Sequence, residues 1–164
     1  MKAHLRTQLV LVVSLLLALA LATPALATRP QTASNSGTNS GVINCPGFDD
    51  NFTDVFSSQA TLFFDNAGNP IRITEHVVSH STDTNSVTGL SLHEHDRYLI
   101  TVDLRTGRLS IAGAPIRMNR KGQGIVIHDT GIVVFDAEEN VIFEAGPHEV
   151  LNQGEEVVFC RALS

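Results

Sequence analysis

Between residues 97 and 146 the apolar residues come in short, strand-sized bursts that turn residues separate. Tyr98, Ile100 and Val102 alternate with Leu99 and Thr101, a period typical of a half-buried β-strand. A glycine-containing turn follows, and the next burst begins after it. This part of the chain therefore predicts a β-meander.

The same alternation of bursts and turns continues upstream and downstream. Residues 71–81 predict a strand, and Val87–Leu92 predicts another with Gly89 at a bulge. Asp129, Thr130 and Gly131 predict a tight turn between two short strands. About eight short strands without a long amphipathic helix predict an all-β domain, either a single antiparallel β-barrel or a sandwich. Closure would remove exposed sheet edges, which favours the barrel.

Two segments fit a helix and a strand equally well. Phe48, Phe52 and Phe56 recur every four residues, and they also fit the alternation of a strand. Residues 155–163 fit a short C-terminal helix, whereas Val157, Val158 and Phe159 favour a last strand. The pattern leaves both segments open.

The first 27 residues have the pattern of a secretory signal peptide. Lys2 and Arg6 precede an apolar run from Leu9 to Leu21, and Ala25-Leu26-Ala27 is a small-x-small cleavage site. The alternative is an uncleaved membrane anchor, for which the apolar run is short. We therefore predict cleavage before Thr28 and an extracellular protein.

Composition divides the remaining chain into a linker and a domain. Residues 28–44 are rich in Ser, Thr, Asn and Gly, a composition typical of a segment that cannot bury enough apolar surface to order itself. This predicts a flexible linker over residues 28–44 and a β-barrel or sandwich domain over residues 45–164.

Charge excludes some partners. The chain carries 11 basic and 17 acidic residues, a net charge of −6. Such a protein is a poor ligand for nucleic acid or for an anionic membrane. We expect no nucleic-acid partner and no membrane association after signal cleavage, and a small apolar ligand stays open as a partner.

The chain has two cysteines, Cys45 and Cys160. Export leads to an oxidising compartment, and two cysteines allow a single pairing. We predict a Cys45–Cys160 disulfide, with two free thiols as the alternative.

The C-terminal half contains GQGIVIHDTGIVVFDAEENVIFEAGPHEVL and then FCRALS. The pattern G-x-G-[IV]-V-x-x-D-x-G-x-[IV]-V-F-D with a final Cys-x-Ala-Leu resembles an uncharacterised family of secreted, β-rich bacterial proteins, chiefly actinobacterial. The Cys-Pro-Gly-Phe start of the domain is similar as well. The resemblance implies secretion, the same disulfide and a β-rich fold, and it implies no catalytic residue.

Histidines are the residues that suggest a metal site. His93 and His95, together with His148 and Asn152, are loosely similar to the two cupin metal motifs. Cupins place a glutamate four or five residues after the second histidine, where this chain has Leu99 and Ile100. We therefore predict that His93, His95 and His148 hold no metal and that the protein binds no cofactor.

His128 and Asp129 are adjacent, as in a catalytic triad, but the sequence lacks the Gly-x-Ser-x-Gly elbow of a hydrolase. We predict no catalytic residue. The sequence favours a secreted, non-enzymatic binding or surface-associated module. The alternatives are a metal-binding cupin-like enzyme and a barrel that carries a small molecule.

Overall fold

A computed structural model describes residues 29–164, and it contains one antiparallel sheet followed by two short helices. The seven strands neighbour one another in chain order. They are β1 (Gln31–Cys45), β2 (Phe48–Phe64), β3 (Pro70–Asn85), β4 (Ser91–Asp103), β5 (Leu109–Arg120), β6 (Gly124–Phe135) and β7 (Val141–Ala145). The helices are α1 (Glu149–Gln153) and α2 (Glu155–Leu163). The predicted all-β antiparallel meander is confirmed.

The strands are fewer and longer than the sequence predicted. Asp129, Thr130 and Gly131 do not form a turn, because β6 runs through them without a break. Val87 and Gly89 lie in the turn between β3 and β4, not in a strand. Pairing on both sides keeps a strand extended across residues that would form a turn in isolation. Pairing with β1 and β3 also places residues 48–56 in β2. Residues 155–163, the other open segment, pair with no strand and form α2.

The predicted flexible linker is also corrected. Most of it forms β1, which pairs with β2 over its whole length from Gln31 to Cys45. Two aromatic rings of β2 explain the glycines of this strand. A Cβ at Gly41 would meet the Phe52 ring at 2.7 Å, and one at Gly37 would meet the Phe56 ring at 3.0 Å. The predicted signal peptide lies outside the described residues.

The sheet is curved around α2. This helix contacts β1, β2 and β6. In a flat sheet β1 and β6 would lie about 24 Å apart, whereas a nine-residue helix is only about 14 Å long. The buried side chains that fill this end of the curve include Leu92, Met118 and Ile127 from the strands and Val158, Phe159 and Leu163 from the helix. The face toward α2 is called the inner face below.

Curvature does not close the sheet. β1 and β7 are the two edge strands, and they are not hydrogen-bonded to each other. The predicted barrel is therefore wrong in its closure, and the described residues contain one sheet where a sandwich has two. At the end of the inner face away from α2, a second apolar cluster packs Ala60, Leu62 and Ile73.

The Cys45–Cys160 disulfide is present and links the end of β1 to α2. The two Cα atoms are 5.4 Å apart, within the usual range for a disulfide. Within residues 29–164, no helix combines the length and the apolar character needed to cross a membrane.

Candidate functional site

Six acidic side chains of β2, β3 and β4 lie buried or half-buried on the inner face; Glu75 is level with Ala60 of the second apolar cluster, and the other five lie between the two clusters. β-Strand alternation sends every second residue of β2, β3 and β4 to this face, and the register brings Asp54, Ser81 and Glu94 into one transverse row. Phe56, Ser79 and Asp96 form the next row. We call the five acids the inner carboxyl cluster: Asp50, Asp54, Asp83, Glu94 and Asp96.

Asp50 and Asp83 form the first close pair of the cluster. Asp50 is fully buried and Asp83 is 2% exposed. Oδ1 of Asp50 accepts a hydrogen bond from the Thr84 amide at 3.1 Å, and the Ser81 hydroxyl donates to Oδ2 of Asp83 at 3.0 Å. Oδ2 of Asp50 is buried and has no hydrogen-bond donor beside it when the neighbouring carboxyl is ionised. Burial, and then the charge of Asp50, raise the pKa of Asp83 to about 7. The pair is therefore satisfied when Asp83 carries a proton and donates it to Asp50.

Glu94 and Asp96 form the second pair, two residues apart on β4. The Ser79 hydroxyl donates to Oδ2 of Asp96 at 3.0 Å, and the Arg117 amide donates to Oδ1 at 3.0 Å. Burial raises the pKa of Asp96 to about 7, and burial together with the charge of Asp96 raises the pKa of Glu94 well above its usual range. The donors around Asp96 favour its ionised form, so Glu94 is the carboxyl that retains the proton longer.

Asp54 lies between the two pairs and is only partly buried. Its Oδ1 atom receives no hydrogen bond, and burial raises its pKa. Phe52 and Phe56 flank it on the inner face of β2, and both rings are half-buried. Like Oδ2 of Asp50, the Oδ1 atom of Asp54 is buried and lacks a donor, but Asp54 as a residue is partly exposed and lies beside partly accessible aromatic surface.

On the inner face, the three strands that carry the cluster place no basic side chain beside it; His80 of β3, on the outer face, is the basic group that lowers the pKa of Asp54 against the effect of burial. The inner positions of β2, β3 and β4 hold no arginine, lysine or histidine. Buried carboxylates without a basic partner either keep a proton or take up a cation. The cluster can therefore exchange protons near neutral pH, or accept the positively charged or hydrogen-bond-donating group of a ligand. Among residues 29–164, no group of three or more His, Cys, Asp or Glu residues has the arrangement of a metal site.

The histidine candidates from the sequence lie apart. His93 and His95 are exposed on the outer face of β4, opposite to the carboxyls. His148 is buried just before α1, where it forms an isolated bridge with Asp129 and its Nε2 atom lies 3.3 Å from the Ala145 carbonyl oxygen. The structure brings His93 and His95 onto one face and does not bring His148 to them.

His128 and Asp129 also point to opposite faces of β6. Asp129 is buried, and its carboxylate accepts hydrogen bonds from the amides of Val150 at 2.9 Å and Leu151 at 3.2 Å. The residue that the sequence assigned to a turn therefore holds the first turn of α1 against the sheet.

The inner carboxyl cluster was not among the sites that the sequence predicted. A usable signal was present in β4, where Glu94 and Asp96 share the parity of the apolar residues Leu92 and Ile100. An acid at a position where a strand is otherwise apolar is a candidate for a buried functional group.

No protein-family model, curated protein or solved structure matches this chain. The resemblance to secreted bacterial proteins therefore stays a prediction.

Proposed function

We propose that this protein is an exported binding module that holds a small, amine-bearing ligand on the inner face of its sheet. The observation that carries the proposal is the inner carboxyl cluster, which has no basic partner on the inner face of its own three strands. Ligand sites combine apolar and aromatic surface with a few polar groups that fix orientation, and both are found around Asp54.

The expected contacts follow from the geometry around Asp54. Asp54 is partly exposed, and its buried Oδ1 atom has no hydrogen-bond donor in the protein, so its carboxylate can pair with an ammonium or guanidinium group that reaches it from the accessible side. The neighbouring Phe52 and Phe56 rings are half-buried, and aromatic faces attract cations. A small apolar ligand fits less well, because ionisable groups occupy the middle of this face.

Export is the second part of the proposal. The N-terminal sequence pattern and the disulfide between Cys45 and Cys160 support it. A binding module that leaves the cell would meet its ligand in an oxidising medium, where the disulfide persists.

The test is a calorimetric titration with agmatine and spermidine as amine probes and with 1,4-butanediol as the uncharged control. We expect the amines to bind and the diol not to bind. Binding should strengthen as the pH rises from about 5 to about 8, because Asp83 and Asp96, each with a pKa of about 7, lose their protons over that range.

Asp54→Asn should weaken amine binding by about tenfold, which corresponds to about 1.4 kcal/mol, because a neutral amide replaces the carboxylate. Asp49→Asn is the matched control, since Asp49 is an exposed aspartate on the opposite face of the same strand. Equal affinity for the amines and the diol, or equal losses in the two variants, would contradict the proposal.

A further inference from the structure

Four basic side chains lie side by side across the outer face of the sheet, opposite to the inner carboxyl cluster. The register pairs His80 of β3 with His95 of β4, and Arg117 of β5 with His128 of β6. β4 and β5 have a bulge here: Met118 pairs with Glu94, and the amide of Arg117 donates to Oδ1 of Asp96 at 3.0 Å, which places Arg117 near His95. All four residues are exposed. We call these four residues the outer basic row, and at the usual strand spacing it extends over about 14 Å.

The two histidines of the row are in direct contact. Their Nδ1 atoms are 2.7 Å apart and their rings meet edge to face. One nitrogen must donate a proton and the other must accept it. If both rings were protonated, two positive charges would lie next to each other, and a bound anion would stabilise this arrangement.

The surroundings of the row are basic or neutral. The other outward-facing charged or titratable groups on strands β2–β6 are Asp49 of β2, Arg72 and His76 of β3, His93, Arg97 and Asp103 of β4. Asp49 and Asp103 lie at strand ends, and Asp103 pairs with Arg105. From the inner side, Asp54 lies near enough to His80 for the imidazole to lower the pKa of that carboxyl against the effect of burial. Both helices pack on the inner side, so neither places a charged group over the row.

We propose that the outer basic row binds an acidic polysaccharide, and that binding strengthens as the pH falls. A row of charges on an extended surface matches a linear polyanion better than a small anion. Threonine and serine hydroxyls, among them Thr82, Thr101 and Ser110, occupy other outward positions and can bind sugar hydroxyls. The outer positions of β3–β6 hold no Phe, Tyr or Trp, the side chains on which nucleic-acid bases stack.

Acidification removes negative charge from the opposite face of the sheet. As the pH falls from about 8 to about 5, the inner carboxyls Asp83 and Asp96, each with a pKa of about 7, become neutral. The net charge of −6, which repels a polyanion at neutral pH, therefore becomes less negative.

The test measures binding to immobilised polygalacturonate at low ionic strength, with neutral dextran as the control polymer. We expect binding at about pH 5.5 that weakens by tenfold or more at about pH 8, and no binding to dextran.

Arg117→Gln should weaken binding by about tenfold at pH 5.5. Arg108→Gln removes the same charge from the exposed β4–β5 turn and should change binding by less than about twofold. The double variant His80→Gln/His95→Gln should also weaken binding at pH 5.5, because it removes the contacting ring pair of the row.

Three results would overturn the inference: no binding to polygalacturonate at pH 5.5, equal weakening by Arg117→Gln and Arg108→Gln, or tighter binding of single-stranded oligothymidylate than of the glycan. The last result would assign the row to a nucleic acid instead. The outcome is separable from the proposed amine site, because amine binding depends on Asp54 and strengthens in the opposite pH direction.

Discussion

At the scale of single residues, the main feature is the grouping of carboxyls that share protons. Asp83 is almost fully buried, lies against Asp50 and has a pKa of about 7, raised by burial and by the charge of Asp50. An unfolded chain would titrate this group near 3.8. The folded state therefore binds more protons than the unfolded state between about pH 4 and pH 7. Linkage then requires that folding stability falls as the pH rises through this window.

We expect the melting temperature to be higher at pH 5 than at pH 8, and Asp83→Asn to reduce this difference. An asparagine amide can donate permanently to Asp50 without acquiring a charge. The variant should be more stable than the parent at pH 8, by roughly 1–3 kcal/mol, and little changed at pH 5. Thermal denaturation at both pH values measures this.

The exposed turn carboxyls do not compensate in this window. Asp65, Asp103 and Asp136 have pKa values below 3.8, chiefly because hydrogen bonds within their turns stabilise the carboxylate, so their contribution changes only at more acidic pH. Asp49→Asn is the control and should leave the pH dependence unchanged. A parent protein that is more stable at pH 8 than at pH 5 would refute the shared-proton interpretation.

At the scale of secondary-structure elements, one carboxylate positions the short helix α1. A five-residue helix is unstable alone, and its His148 N-cap makes no side-chain hydrogen bond to it. Asp129 of β6 replaces the missing cap by accepting hydrogen bonds from two amides in the first turn of the helix. This contact also fixes the chain that leads into α2 and its apolar residues.

Asp129→Ala should therefore lower the free energy of unfolding by about 1–3 kcal/mol, because two amide groups near a buried position lose their acceptor. Asp129→Asn keeps one acceptor oxygen and should cost less. Urea denaturation of the two variants and the parent measures the difference. If both variants unfold at the parental midpoint, Asp129 does not hold the helix.

At the scale of the whole molecule, one covalent link joins the start of the described fold to its end. Cys45 ends β1 and Cys160 lies in α2, with a sequence separation of 115 residues. The same helix supplies Val158, Phe159 and Leu163 to the apolar cluster that underlies the curved sheet. The disulfide therefore constrains the unfolded chain and holds the helix against the edge strand.

The double variant Cys45→Ala/Cys160→Ala should unfold at a lower temperature than the parent, with a loss of at most about 5 kcal/mol by the loop-closure model. Removing both cysteines avoids a free thiol that could form a dimer. The parent in reducing agent is the matched comparison and should approach the variant. An unchanged melting temperature in both would contradict a stabilising role for the disulfide.

Much of the class of this fold follows from the sequence itself. Alternating residues such as Tyr98, Ile100 and Val102 specify strands because the two faces of a sheet differ in polarity, a local property. The disulfide follows from the cysteine count and the predicted compartment, and the structure confirms it. Strand length was harder to predict, since turn-forming residues such as Asp129 and Gly131 stay within one strand when neighbouring strands pair with them.

The serine- and glycine-rich segment was misread as a linker for a related reason. Its composition has little apolar surface, and only the rings of Phe52 and Phe56, packed on Gly41 and Gly37, supply the contacts that its own residues lack. Those contacts join different strands and are not visible in the composition of one segment.

The candidate site depends on tertiary structure for a different reason. Asp50, Asp54 and Asp83 come from two strands, and Glu94 and Asp96 from a third, so their grouping requires the register of both strand pairs. The same register separates His93 and His95 from His148. The sequence determines which face of a strand each side chain occupies. Pairing and curvature decide which side chains meet, because register and closure depend on contacts between residues far apart in the chain.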